Sequence, residues 1–193
     1  MAWLHSVIPT RIECEELVIR KYEPEDAAAL VDAVTESLDE LLPWMPWAKF
    51  EPQTASQREV LISTWDDEWA QCSNFTMGIF HNDLCVGGTG LHLRGEDGTL
   101  EIGYWVRSSH VGRGIARRAS SALTTLAFSL PEVSVVHIAH DMANERSQRV
   151  PESLGFRVLR EYERTPEAAS QVGRVRLWAI SREEWTERKK LAR

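Results

Sequence analysis

No apolar run in the sequence approaches the ~18–20 residues that a membrane-spanning helix needs, so a bilayer is not an expected partner. Cysteine is scarce. Cys14, Cys72 and Cys85 are the only three in 193 residues, an odd number, far apart, without the close pairs of a zinc site; buried thiols are expected, and no metal. Positive charge is in deficit as well, with 22 Lys+Arg against 29 Asp+Glu for a formal net charge of −7. That balance argues against a surface built for nucleic acid and leans toward a cationic or amine-bearing partner. The opening Met1-Ala2-Trp3-Leu4-His5 has neither the basic segment nor the apolar block of a secretory signal, so a cytoplasmic chain is expected.

What is present is an average globular composition, 43% hydrophobic and 26% charged, at a length suited to one domain over 1–193. Leu17 to Tyr22 reads as a strand. Pro24 then opens a helix whose apolar residues Ala27, Leu30, Val31, Val34, Leu38 and Leu41 recur at helical spacing and stop before Pro43. Thr54 and Gln57 form a capping-box pattern ahead of a second helix with the stripe Val60, Leu61, Thr64, Trp65 and Trp69. Strands are predicted over Phe75–Phe80, Leu84–Leu93, Thr99–Val106, Val133–His140, Arg157–Glu163 and Arg174–Ser181. Helices are predicted after Gly114, from Asn144 to Leu154, and at the charged C-terminus. The order implies an α/β (α+β) chain with a mixed sheet.

The stretch richest in chemistry is Gly112-Arg113-Gly114, between the strand ending at Val106 and the next helix. A glycine-bearing turn there aims unpaired backbone N–H groups, and the positive end of the helix, at one point. This makes an anion site suited to phosphate. Two familiar phosphate motifs are excluded: the Lys-Ser/Thr of a P-loop is missing, and Arg117 stands where a dinucleotide fingerprint needs Gly or Ala. Arg107, Arg113, Arg117 and Arg118 add local positive charge to an acidic chain. A right-handed crossover would set the strands on either side of this helix side by side and parallel. A slot between them could hold an amide-bearing arm as it would another strand.

At these residues the sequence resembles the GNAT superfamily of acyl-CoA-dependent N-acyltransferases, whose pyrophosphate loop reads Gln/Arg-x-x-Gly-x-Gly/Ala. Val111-Gly112-Arg113-Gly114-Ile115-Ala116 occupies that register, with Val111 in place of Gln or Arg. Glu101-Ile102-Gly103-Tyr104-Trp105-Val106, Asn144-Glu145-Arg146-Ser147 and Leu154-Gly155-Phe156 are similar to the RimJ/RimL branch. The resemblance implies a mostly antiparallel sheet of about seven strands, helices on both faces, and a central parallel pair that splays to hold coenzyme A. It implies acetyl-CoA as cosubstrate, bound by Tyr104, Trp105, Val106, Val111, Gly112, Arg113, Gly114, Ile115, Ala116, Arg117 and Asn144. It further implies transfer to a primary amine, on a protein N-terminus or a small molecule, by direct attack in a ternary complex. No nucleic-acid partner is expected, and a homodimer is left open. A non-catalytic CoA-binding or regulatory module is the alternative reading of the same residues.

An α-amine, with a pKa of ~7.7–8.0, is partly uncharged at neutral pH and needs only a modest base. Glu101 is the first candidate for it, on a strand position similar to that of a glutamate base in some superfamily members; Glu163 and Glu167 are the others. The resemblance makes Ser147 the acid beside the thioester sulfur and Asn144 a holder of the pantetheine. His137 and His140, on opposite faces of their strand, are further proton carriers to consider. Trp44 and Trp47, in the proline-rich segment, mark the expected acceptor wall. Pro151 falls inside the predicted Asn144–Leu154 helix and cannot donate to the Ser147 carbonyl. Either the helix is kinked or shortened near Ser147, leaving that carbonyl for water, ligand or another side chain, or it begins only at Ser147 or later.

Overall fold

Alternating apolar residues lay down eight strands in one sheet of order β1-β2-β3-β4-β5-β6-β8-β7. The computed structural model describes residues 4–191, which leaves Met1 to Trp3 of the N-terminal reading outside it. The strands are β1 Arg11–Cys14, β2 Leu17–Lys21, β3 Asn74–His81, β4 Leu84–His92, β5 Thr99–Val106, β6 Val135–Asp141, β7 Arg157–Glu163 and β8 Arg174–Ser181. The helices are α1 Ala27–Leu41, α2 Ala55–Ala70, α3 Ile115–Ser129, α4 Glu145–Leu154 and α5 Arg182–Leu191. Among the described residues no helix is long and apolar enough to cross a membrane. The strand beyond the expected seven is β1, a short edge strand paired with β2 across a turn that puts Glu15 at φ 55.

Every neighbouring pair is antiparallel except β5 and β6. That parallel pairing covers only Thr99 with Val135, Leu100 with Val136 and Glu101 with His137. Beyond Glu101 the two strands continue to Val106 and Asp141 without bonding to each other, so a wedge opens in the middle of the sheet.

The period-2 alternation of β5 and β6 sends Leu100, Ile102, Val136 and Ile138 to one face, where Ala119, Leu123 and Ala127 of α3 and Trp185 of α5 complete a core. On the other face α1 and α2 pack Leu30, Val34 and Ile62 against Tyr22 and Phe80. Helix α2 carries the predicted capping box, Thr54 Oγ1 accepting from Gln57 N–H while Gln57 Oε1 accepts from Thr54 N–H. Its buried phase differs from the predicted stripe. Val60 is exposed, whereas Ile62 and Arg58 are buried.

Arg58 is tolerated in the interior because Glu51 meets it, Nη2 to Oε1 at 2.5 Å, each side chain being 3% exposed. The second Glu51 oxygen accepts from Gln53 N–H. Glu51→Ala would leave a buried cation alone, at a cost of about 3–5 kcal/mol. The expected result is a urea midpoint lowered accordingly; a midpoint equal to the parent's would mean that water reaches Arg58.

Helix α4 starts at Glu145, capped by Asn144 Oδ1 accepting from Ser147 N–H at 3.1 Å, and ends at Gly155 in the left-handed region. The later start is therefore not adopted, and Pro151 lies within the helix. The Ser147 carbonyl that Pro151 cannot serve accepts instead from the Tyr104 hydroxyl at 2.9 Å.

Candidate active site

The turn ahead of α3 is built for an anion. Gly112 and Gly114 sit at φ 82 and φ 71, where L side chains are strained, and a Cβ on either would point into open space. Among the described residues, the backbone N–H groups from Gly112 to Arg117 have no hydrogen-bond partner within the protein. Six donors and the positive end of a helix thus converge on one opening, which fits the diphosphate of coenzyme A. Val111 contributes backbone position and a partly exposed side chain at the entrance.

Only half of the arginine cluster is available to a ligand. Arg107 is bound by Glu36 of α1, Nε to Oε2 at 2.6 Å, and Arg118 by Glu15 and Glu16 of the β1–β2 turn. Arg113 reaches back to the Ser109 carbonyl, and Arg117 forms no ion pair among the described residues. The Glu36 clamp also accepts from Ser109 N–H at 3.0 Å, while Ser37 Oγ accepts from Ser108 N–H, so α1 fixes the segment leading into the turn. Arg107 first, then Ser109, hold the Glu36 carboxyl down to about 2. A depressed carboxylate stabilises the fold above its ordinary value, and that contribution is lost as pH falls from 4.5 toward 2. For Glu36→Gln we expect a several-fold rise in KM for acetyl-CoA with kcat nearly unchanged. The urea midpoints of parent and variant should converge as pH is lowered below 4.5; a gap that persists undiminished would place the Glu36 contribution elsewhere.

The wedge between β5 and β6 brings Tyr104, Asn144 and Ser147 together. Ser147 Oγ lies 3.0 Å from Tyr104 Oη. The Tyr104 proton is engaged by the Ser147 carbonyl, which can only accept, so the serine hydroxyl is the donor in the second bond. Burial raises the Tyr104 pKa, so the phenol keeps its proton. With its Oδ1 engaged as the helix cap, Asn144 retains its amide hydrogens for a ligand. Trp105 points the other way, its indole lying over Gly88 and edge-on to Trp47 at 6.2 Å, so only its backbone borders the wedge. Val106 likewise belongs to the unpaired edge.

The opposite face of the wedge opens into a cleft of about 1690 Å³. Trp44, Trp47, Glu101, His137 and Glu167 line it. Glu163 is an exposed residue on the outer strand β7. Trp47 is mainly a packing residue of the α1–α2 core, while Trp44 is held in the wall by Gln171, whose Nε2 donates to the Trp44 carbonyl at 2.9 Å. Glu101 is bound through one oxygen to Arg94 at 3.1 Å; the other has no partner among the described residues. His140 cannot carry protons at rest, because Nε2 accepts from Trp178 at 2.8 Å and Nδ1 donates to the Asp141 carbonyl. His137 is half-buried, and burial followed by Arg160 lowers its pKa.

Sequence reading missed His92. Its Nδ1 lies 3.0 Å from Asn74 Oδ1, and burial, then Arg94, lowers its pKa to about 4. The available signal was the alternation Gly88, Gly90, His92 on one strand face, two residues without side chains followed by a ring that can lie over them. Among the described residues, no group of three or more His, Cys, Asp or Glu is arranged to hold a metal ion.

Known proteins share this fold. The Acetyltransferase (GNAT) domain family matches residues 16–157. A Bacillus subtilis (strain 168) protein named "Putative ribosomal N-acetyltransferase YdaF" is 32% identical over 143 residues, covering 74% of this chain and 78% of its own. The crystal structure of a "Probable acetyltransferase" superposes with TM-score 0.83 at 27% identity, over 91% of this chain and 98% of that one. RimJ of Mycobacterium smegmatis, solved in complex with a CoA-disulfide, superposes with TM-score 0.77 at 23% identity, over 91% and 88% of the two chains. The family match runs from the start of β2 through the glycine turn to the start of β7, and by it the chain belongs to the GNAT family of acetyltransferases.

Proposed function

We propose that the chain transfers an acetyl group from acetyl-CoA to a primary amine by direct attack in a ternary complex, and that the acceptor is the α-amine of a protein N-terminus. The observation that carries this reading is the row of unpartnered N–H groups from Gly112 to Arg117, opening onto a wedge that ends at Tyr104 and Ser147. When bound, acetyl-CoA supplies the thioester whose acyl carbon the amine attacks. The backbone of 112–117 holds the diphosphate, the unpaired edge of β5 from Ile102 to Val106 lines the pantetheine arm, and the Asn144 amide donates to it. Ser147 turns its proton from the Tyr104 oxygen to the departing sulfur and is reprotonated from solvent once the products leave. Glu101 accepts the amine proton on its unpartnered oxygen. A protein acceptor is favoured over a small amine by the ribosomal N-acetyltransferase name of the relative from B. subtilis and by the size of the cleft. The test is thiol release from acetyl-CoA against a panel of peptides and small amines. Release that depends on an N-terminal peptide amine is the expected result, and binding of acetyl-CoA with no amine-dependent release would leave a CoA-binding module instead.

A further inference from the structure

The cleft face of the wedge has a floor of glycines. Gly90 of β4 lies opposite Gly103 of β5, and the His92 ring leans across both, since a Cβ on Gly90 would meet its Nε2 at 3.2 Å and one on Gly103 would meet it at 3.3 Å. Gly103 is two residues past Glu101, where β5 has already parted from β6, so the ring overhangs the start of the wedge. Asn74 Oδ1 can only accept; the Nδ1 of His92 therefore carries the proton, and Nε2 is left with a bare lone pair. That lone pair has no partner among the described residues, and His92 lines the cleft. The charged and titratable groups facing the ring are Arg94 just past the end of its strand, Glu101 directly opposite on β5, and His137 beyond it on β6. Asn74 on β3 is uncharged.

We propose that His92 receives the acceptor: its Nε2 accepts one N–H of the incoming amine over Gly103, so that the nitrogen lone pair faces the thioester while a second N–H faces Glu101. The inference rests on the reading of the chain as an amine acetyltransferase. As the C–N bond forms and the C–S bond breaks, the nitrogen keeps the hydrogen held by His92, gives the other to Glu101, and the sulfur takes its proton from Ser147. The arrangement needs two hydrogens on the neutral nucleophile. A primary amine has them and a secondary amine does not. The depressed His92 pKa keeps the imidazole uncharged throughout the range in which the amine is reactive, so it presents an acceptor and never a competing cation.

The test compares kcat/KM for a peptide with N-terminal alanine against the same peptide with N-terminal N-methylalanine. His92→Leu should lower the rate with the primary amine about tenfold, the range of one lost hydrogen bond. It should leave the N-methyl rate and KM for acetyl-CoA unchanged, so the preference ratio falls about tenfold. His92→Gln, which keeps an acceptor oxygen, should recover most of it. Asn74→Asp, an isosteric change on a half-buried edge, supplies a second reading because its carboxylate favours the imidazolium. That variant should add a second protonation to the acidic limb that amine protonation already gives the parent, so that its rate falls more steeply toward low pH. An unchanged preference ratio in a folded His92→Leu variant, or an Asn74→Asp profile that overlays the parent's, would overturn the inference with the acetyltransferase reading intact. A parent chain that releases no thiol with any amine would overturn both.

Discussion

The expected result of Gly114→Glu is loss of acetyl-CoA binding in a protein that still folds. The position has φ 71 and nothing within 4 Å of a Cβ, so the new side chain meets no neighbour on folding and costs about 1–2 kcal/mol of left-handed strain. Binding is affected far more. The added carboxylate stands at the mouth of the donors that receive a diphosphate, and two like charges about 4 Å apart repel by roughly 4 kcal/mol at an effective dielectric of 20. That corresponds to about a thousandfold in affinity before any steric loss. Calorimetric titration with acetyl-CoA measures it, with Gly114→Ala carrying the strain without the charge. Unchanged affinity in the glutamate variant would move the cofactor away from this turn.

The second large effect is on turnover. Ser147→Ala should lower kcat by about 10²–10⁴-fold, the range of a general acid, while KM for acetyl-CoA changes little. The substitution is well controlled by its surroundings, because the bond from Tyr104 goes to the Ser147 carbonyl and survives the loss of the hydroxyl. The Asn144 cap also survives, since it receives the backbone N–H of residue 147. Helix α4 and the Tyr104 ring should therefore stay in place, and the kinetic change reports the missing proton. A variant within twofold of the parent would remove Ser147 from the chemistry.

Local patterns made much of this architecture legible. Strands β5, β7 and β8 fall at the predicted residues because turn glycines and prolines bound short alternating runs. The glycine turn and the Thr54 capping box were visible for the same reason: each is a local backbone demand met by a particular residue type. What could not be read is pairing at a distance. Arg107 and Arg118 looked like phosphate ligands, but their carboxylates lie 71 residues away in α1 and 102 and 103 away in the β1–β2 turn. Arg58 hid the buried phase of α2 because a charge at that position reads as surface until Glu51 is placed beside it. Strand β1 alternates at every position but, at four residues, is too short to register. His92 acquires its meaning from Asn74 on the adjacent strand and from the bare backbone beneath it, neither of which its own sequence neighbourhood displays.

The glycine turn proposed to hold the diphosphate is made of main chain, with its nearest arginines half neutralised by internal partners. Amide groups do not titrate, and they are present whatever side chain is attached to them. On the function proposed above, the donors that anchor the nucleotide end of the cosubstrate are therefore themselves indifferent to pH. The turn is also indifferent to most substitutions along its length, and vulnerable at the two glycines that set its curvature and at the Glu36 clamp that fixes its approach. The acceptor side proposed above relies on side chains, Glu101, His92 and Trp44, each replaceable alone. A chain of this kind can change what it acetylates by single substitutions while what it acetylates with stays fixed.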